Sequence, residues 1–201
     1  TFYLRGEGAP WRVETGDHQS LLRLDTETGG GTLLAPTLGE VLARHGLRVA
    51  IVGVGSSGNT LLHHHRAAQV GGVVLNPVLA LPAEEAEVLE RRFGPWPPAA
   101  VPNVARMDRA TTVLLEYVLP TYRPAVASLW LSDPDSSQHR TAVSSPEALE
   151  GLRHADRQLG RVLEHLAAEG LAASTDVLVV SDHGQSTVTG TVRVAEELAA
   201  A

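Results

Sequence analysis

The sequence predicts an α/β domain built on a mostly parallel sheet with helices on both faces. Two observations carry this. Short β-branched apolar runs alternate with amphipathic helical stretches of about ten residues or more, the length a crossover between parallel neighbours needs. The strongest runs, Leu47 to Val54, Ala125 to Leu131 and Asp176 to Val180, also lack a regular polar face, as strands covered on both sides do.

The elements follow in order. Thr1 to Gly31 is rich in Gly, Thr and charge with no sustained period, and reads as an irregular surface stretch. Pro36 opens a helix with Leu38, Val41 and Leu42 on one face, and Gly46 closes it. After the strand Leu47 to Val54 come a glycine- and histidine-rich loop and a short apolar run, Val73 to Leu75. Pro82 to Arg92 is charged and amphipathic, and Gly94-Pro-Trp-Pro-Pro98 breaks it. Asn103 to Leu119 is helical, with Val104, Met107, Thr111, Leu115 and Val118 spaced for a core face and Pro120 as its stop. Ala125 to Leu131 is a strand running into Ser132-Asp-Pro-Asp-Ser-Ser-Gln-His139. Ser145 and Pro146 open a long helix whose apolar stripe is Leu149, Leu152, Leu159, Val162, Leu163 and Leu166, closed by Gly170. The strand Asp176 to Val180 then runs into Ser181-Asp-His-Gly184, and the chain stops in an Ala/Glu-rich helix.

Composition narrows the function. A chain of 201 residues, 43% hydrophobic, can bury the core of one domain, and no repeat divides it. Cysteine is absent, which removes disulfides, thiol nucleophiles and thiolate metal sites and leaves the redox compartment open. The net charge is −7 and every basic residue is an arginine, none in a run, so a duplex nucleic-acid partner is not expected. Apolar runs are strand-length, so no membrane segment is expected and the chain reads as soluble, with its compartment and oligomeric state open.

Ligands of open α/β sheets bind beyond the carboxyl ends of the strands, and two polar clusters stand at such ends. One is Asp135-x-x-x-His139; the other is Asp182-His183. Each offers a carboxylate oxygen and an imidazole nitrogen, the donor mix of zinc, manganese or iron rather than calcium. Neighbours on a strand point to opposite faces, so Asp182 and His183 converge only if the chain turns, which Gly184 permits. Either cluster alone could be a surface pair. Two of them, at the ends of strands joined by one crossover helix, favour a metal site.

Pro134-Asp-Ser-Ser-Gln-His139 resembles the metal motif of the nucleotide pyrophosphatase/phosphodiesterase (type I phosphodiesterase) family of the alkaline phosphatase superfamily. The stretch from Ala155-Asp-Arg-Gln-Leu-Gly160 to Asp176-Val-Leu-Val-Val-Ser-Asp-His-Gly184 resembles its second metal motif with the preceding helix. Ala35-Pro-Thr-Leu-Gly39 through Gly58 resembles the helix–strand unit of bacterial members. The resemblance implies an alkaline-phosphatase-like fold and two divalent metal ions, usually zinc, with Asp135 and His139 on one and Asp182 and His183 on the other. It also implies a phosphate-ester substrate and a covalent phospho-enzyme on a Thr or Ser. The family's remaining ligands, an Asp near the chain start, the nucleophile and a later His, have no match here; the expectation is therefore an internal, incomplete segment with no appreciable activity of its own. Thr15, Asp17 and His18 are the local residues that could substitute. The alternatives are a non-catalytic interaction module on the same fold, or a sister activity of the sulfatase, phosphomonoesterase or mutase type.

Other signals carry less. Gly53-Val-Gly55-Ser-Ser-Gly58 is a literal G-x-G-x-x-G after a strand, but no Asp or Glu occurs between Gly53 and Glu84 where a dinucleotide site needs one, so these glycines are expected to turn a loop and no organic cofactor is expected. His63, His64 and His65 cannot all face one ion from a regular element and read as a solvated loop or helix start. His45, His154 and His165 read as exposed or capping. Asp156 is a second-layer candidate, and Asp133 is set aside in favour of Asp135.

Overall fold

The computed structural model describes residues 1–4 and 10–200. Its centre is a four-stranded sheet of β3 (Val49–Gly53), β4 (Val73–Asn76), β5 (Leu79–Leu81) and β6 (Val126–Trp130), in the order β5-β4-β3-β6. β3 runs parallel to both β4 and β6, and β5 folds back antiparallel on β4 as an edge. The predicted mostly parallel sheet is thus present, with one antiparallel edge strand.

Alternate side chains of β3 and β4 feed two apolar layers, as the two-residue period of a strand requires. Ala50, Val52, Val73 and Leu75 pack against α5 (Glu85–Phe93), α6 (Val104–Val113) and the π-helical turn Leu114–Val118, through Leu89, Met107, Ala110, Val113 and Val118. Val49, Ile51 and Val74 pack on the other side against Leu21 and Leu24 of α1 (His18–Glu27), Leu61 of α3 (Ser57–His63) and Ala67 of α4 (Ala67–Val70). Helices therefore cover both faces.

Several local expectations are corrected. The stretch read as irregular contains a hairpin of β1 (Phe2–Leu4) and β2 (Trp11–Val13), followed by α1, whose N-terminus Asp17 caps by accepting the Gln19 and Ser20 amides. Its residues 5–9 lie outside the described residues. The first predicted helix is α2 (Leu38–Ala43), but it starts after Thr37, which shares a capping box with Glu40, and its buried residue is Gly39 rather than the leucines. The glycine- and histidine-rich loop is largely α3 and α4. Pro120 does not end its helix: it sits in the first turn of α7 (Leu119–Tyr122), where a missing amide costs little.

Two further corrections concern the C-terminal third. The long helix α9 (Pro146–Ala168) forms as predicted, but it buries Ala148, Gly151, His154, Gln158 and Leu166 and leaves Leu149, Leu152 and Leu163 exposed. His154 is thus no surface residue: its Nε2 lies 2.9 Å from Asp108 Oδ1, and Gln158 bonds the same oxygen. A polar seam, with Ala155, Val162 and Leu166 beside it and not the outer leucines, docks α9. The predicted strand Asp176 to Val180 pairs with no strand; Leu178 is 85% exposed. A strand apolar on both faces is stable only when both are covered. With the α9 leucines turned to solvent, nothing among the described residues covers it. The chain ends in α10 (Val194–Ala200).

Candidate functional site

At the carboxyl end of β6 the chain passes Ser132 and Asp133 and turns into α8 (Asp135–Arg140). Asp133 makes this turn. Its carboxylate, 4% exposed, accepts the Asn103 amide at 2.7 Å and the Ser137 amide at 3.1 Å, and the Ser137 hydroxyl also donates to it. The residue that sequence reasoning set aside therefore ties the start of α6 to the start of α8. Gly151 leaves room for it, since a Cβ there would come within 2.9 Å of the Asp133 Cβ. Asp135 and His139, one helical turn apart, consequently share one face of α8.

Asp135 Oδ1 lies 3.3 Å from His139 Nε2 and 3.6 Å from His183 Nε2, and Asp182 Oδ2 lies 3.5 Å from His183 Nε2. All four predicted metal residues thus fall into one string of donors, His139, Asp135, His183 and Asp182, although Asp176 to Val180 did not form the strand meant to deliver two of them. Gln185 is the strap: its Nε2 donates to Asp135 Oδ1 at 2.7 Å. The turn at Asp182 is closed locally. The His183 amide donates to Asp182 Oδ1 at 3.0 Å, and His183 Nδ1–H to the Gly184 carbonyl at 3.1 Å, which turns the Nε2 edge of the ring toward the carboxylates.

A divalent metal fits this donor set in kind and in pairwise spacing. Ligands about 2.0–2.1 Å from a tetrahedral zinc stand about 3.3 Å from one another, close to the three separations above. Among the described residues no three such groups yet close on one point. The Asp135, Asp182 and His183 side chains are about half exposed and that of His139 about two-thirds.

The Asp135–His139 pair opens on a cleft of about 450 Å³ between the carboxyl end of β3 and α8. Its wall includes Ser56, Asn103, Arg106, Ser132, Asp135 and His139. Arg106, in the first turn of α6, had no sequence signal beyond lying off the helix's apolar stripe. It donates Nε to the Pro97 carbonyl at 2.7 Å, and burial pushes its guanidinium below its ordinary value.

The other candidates have structural partners. Asp17 caps α1, His18 Nδ1 lies 2.9 Å from Ser57 Oγ, and Asp156 is exposed on α9. Of the G-x-G-x-x-G glycines, Gly55 turns the β3–α3 loop as expected, whereas Gly53 and Gly58 serve packing. A Cβ on Gly58, inside α3, would sit 2.0 Å from the Thr15 carbonyl oxygen, and one on Gly53 would sit 2.6 Å from Thr60 Oγ1. Asn76, at the end of the next strand, bonds the Gly53 and Gly55 carbonyls through Nδ2 at 3.1 and 3.2 Å. Of the three histidines, His64 is fully buried with neither ring nitrogen hydrogen-bonded, and His65 is buried with Nδ1 unpaired.

The family profile described as type I phosphodiesterase / nucleotide pyrophosphatase matches residues 1–200. Human ectonucleotide pyrophosphatase/phosphodiesterase family member 7 is 36% identical over 63 residues, 31% of this chain and 14% of its own length. Mouse ectonucleotide pyrophosphatase/phosphodiesterase family member 1 is 35% identical over 78 residues, 38% of this chain and 9% of its own. Venom phosphodiesterase 2 of Crotalus adamanteus is 32% identical over 81 residues, 40% of this chain and 10% of its own. The chain thus matches a small part of the length of these relatives. No solved structure matches significantly. No helix among the described residues is long and apolar enough to cross a membrane.

Proposed function

Because the chain belongs to the type I phosphodiesterase / nucleotide pyrophosphatase family, we propose that its cleft serves metal-dependent hydrolysis of phosphodiester or nucleotide pyrophosphate bonds in small-molecule substrates. The supporting observation is the donor string His139, Asp135, His183 and Asp182, assembled from two motifs, with Asp135 and His139 in the wall of the cleft. Asp135 and His139 would hold one divalent ion, and Asp182 and His183 a second, with zinc the best match to carboxylate and imidazole donors. Bound there, the metal supplies Lewis acidity at a phosphoryl oxygen and offsets the repulsion between an acidic chain and a phosphate ester.

The protein's own residues set the conditions. The Gly184 carbonyl holds the His183 proton on Nδ1, and Gln185 orients the Asp135 carboxylate. Two donors per ion is one fewer than a catalytic zinc usually keeps. We therefore expect weak zinc retention and no appreciable turnover from residues 1–201 alone, and assign no nucleophile among them.

The test is zinc analysis of the purified chain after equilibrium dialysis, with Asp135→Ala and Asp182→Ala alongside. Both variants should retain markedly less zinc than the parent. Equal retention would remove the site assignment, and zinc-dependent turnover of a p-nitrophenyl phosphodiester by this chain would overturn the expectation of inactivity.

A further inference from the structure

Arg106 lies in the cleft without a counter-ion. Its Nε is anchored on the Pro97 carbonyl, which directs the guanidinium plane and leaves the two terminal amino groups free of any protein hydrogen bond among the described residues. No carboxylate comes within salt-bridge distance of it there, whereas Arg66 pairs with Asp25 at 2.8 Å and Arg161 lies 3.7 Å from Asp108. Arg109, one turn further along α6, spends an amino group on the Gly94 and Pro95 carbonyls. Arg106 is half-buried, and burial depresses its guanidinium, so part of its hydration is already lost. An arginine keeps its charge at any working pH, so the cost of that lost hydration remains until an anion supplies the missing hydrogen bonds. The surroundings suit an oxyanion. Ser56, Ser132 and Asn103 add neutral polar groups to the same wall, and Arg140 puts a second positive charge at the rim, against the single carboxylate of that wall, Asp135.

We propose that this cleft contains an oxyanion subsite centred on the Arg106 guanidinium, which binds an anionic group carried by the ester substrate beyond the scissile phosphate and makes Arg106 a specificity-determining residue. This rests on the phosphoesterase reading, in which Asp135 and His139 mark the reacting end of the cleft. The planar fork of the guanidinium offers two parallel N–H groups to two oxygens of one phosphoryl or carboxyl group. Esters whose departing group is neutral gain nothing from it.

The experiment is calorimetric titration of the metal-free chain, in chelator at low salt, with sodium pyrophosphate as the probe and inorganic phosphate as the weaker comparison. Arg106→Gln should weaken pyrophosphate binding at least tenfold, Arg106→Lys should recover part of the loss, and Arg91→Gln on the exposed end of α5 should match the parent. Arg106→Gln binding within twofold of the parent, or an equal loss in Arg91→Gln, would overturn the proposal. Should Arg106→Gln fail to fold, phenylglyoxal modification of the parent followed by peptide mass mapping decides the matter. Pyrophosphate should protect Arg106 selectively, and unprotected modification would overturn it. Because metal is excluded, failure here is separable from failure of the phosphoesterase reading, which the zinc retention of Asp135→Ala tests.

Discussion

Asp135 Oδ1 and His183 Nε2 lie 3.6 Å apart, in contact across two sequence motifs that no strand pairing joins. The link is side-chain chemistry on a half-exposed surface, and it depends on how firmly each motif is held from behind. Asp133 holds one of them. Replacing it by Asn keeps one acceptor oxygen but turns an N–H₂ on either the Asn103 or the Ser137 amide, which then loses its acceptor. Asp133→Asn should cost about 2–3 kcal/mol of stability in urea unfolding, and should lower zinc retention although Asp133 is not itself placed as a ligand. Unchanged stability would remove it as the organiser of this turn.

Acid should destabilise the protein through its buried histidines. Burial, opposed by the nearby Glu40 carboxylate and reinforced by His65, holds the His64 imidazole below the ordinary histidine range, and burial lowers His63 and His65 as well. The unfolded chain protonates these rings near pH 6.5, and the folded chain only at lower pH. Between those values the unfolded state binds more protons, so stability falls as pH drops through that window and is unaffected by these groups above it. Urea midpoints at pH 8, 6.5 and 5 should fall in that order. His64→Leu should shallow the fall by the share of one ring, and an unaltered slope would show that His64 is not buried neutral.

Base should act through Tyr117. Its hydroxyl, and that of Tyr122, each donate to the buried Glu85 carboxylate at 2.6 Å. Burial, strengthened by that hydrogen bond and the carboxylate's charge, pushes the Tyr117 phenol up to about 12. A raised phenol contributes stability that is complete below pH about 10 and is lost as pH rises through the folded value. Ultraviolet titration should show this phenolate appearing near pH 12 in the parent and earlier in Glu85→Gln. Coincident titrations would mean that Glu85 does not hold Tyr117.

Gly58 should tolerate no side chain. Its Cα faces the Thr15 carbonyl, to which a Cβ would come within 2.0 Å, and its amide donates to the Gly16 carbonyl at 3.0 Å. Both contacts are backbone, so the clash cannot be relieved by a rotamer. Gly58→Ala should cost about 3 kcal/mol, measured as a shift of the thermal or urea midpoint. Gly184→Ala, with open space around it, should have little effect on stability.

The sequence by itself determined the class of fold and named the donor residues on which the proposed site rests. Period and β-branching in Val49–Gly53 follow from burial on both faces, a property written into consecutive side chains, whereas Val126–Trp130 forms the sheet's other edge and stays partly exposed. The donor pairs were legible because residue type and local spacing decide what a metal can use. Tertiary structure alone decided whatever depends on a distant partner. It determined that α9 docks with His154 and Gln158 on Asp108 and not through Leu149, Leu152 and Leu163, that Asp176 to Val180 pairs with no strand among the described residues, and that Asp133 organises the turn from which Asp135 emerges. It also put Arg106 beside that site without a carboxylate. No periodicity records that relation, because an arginine's counter-ion is set by which chains meet in space and not by its neighbours in sequence.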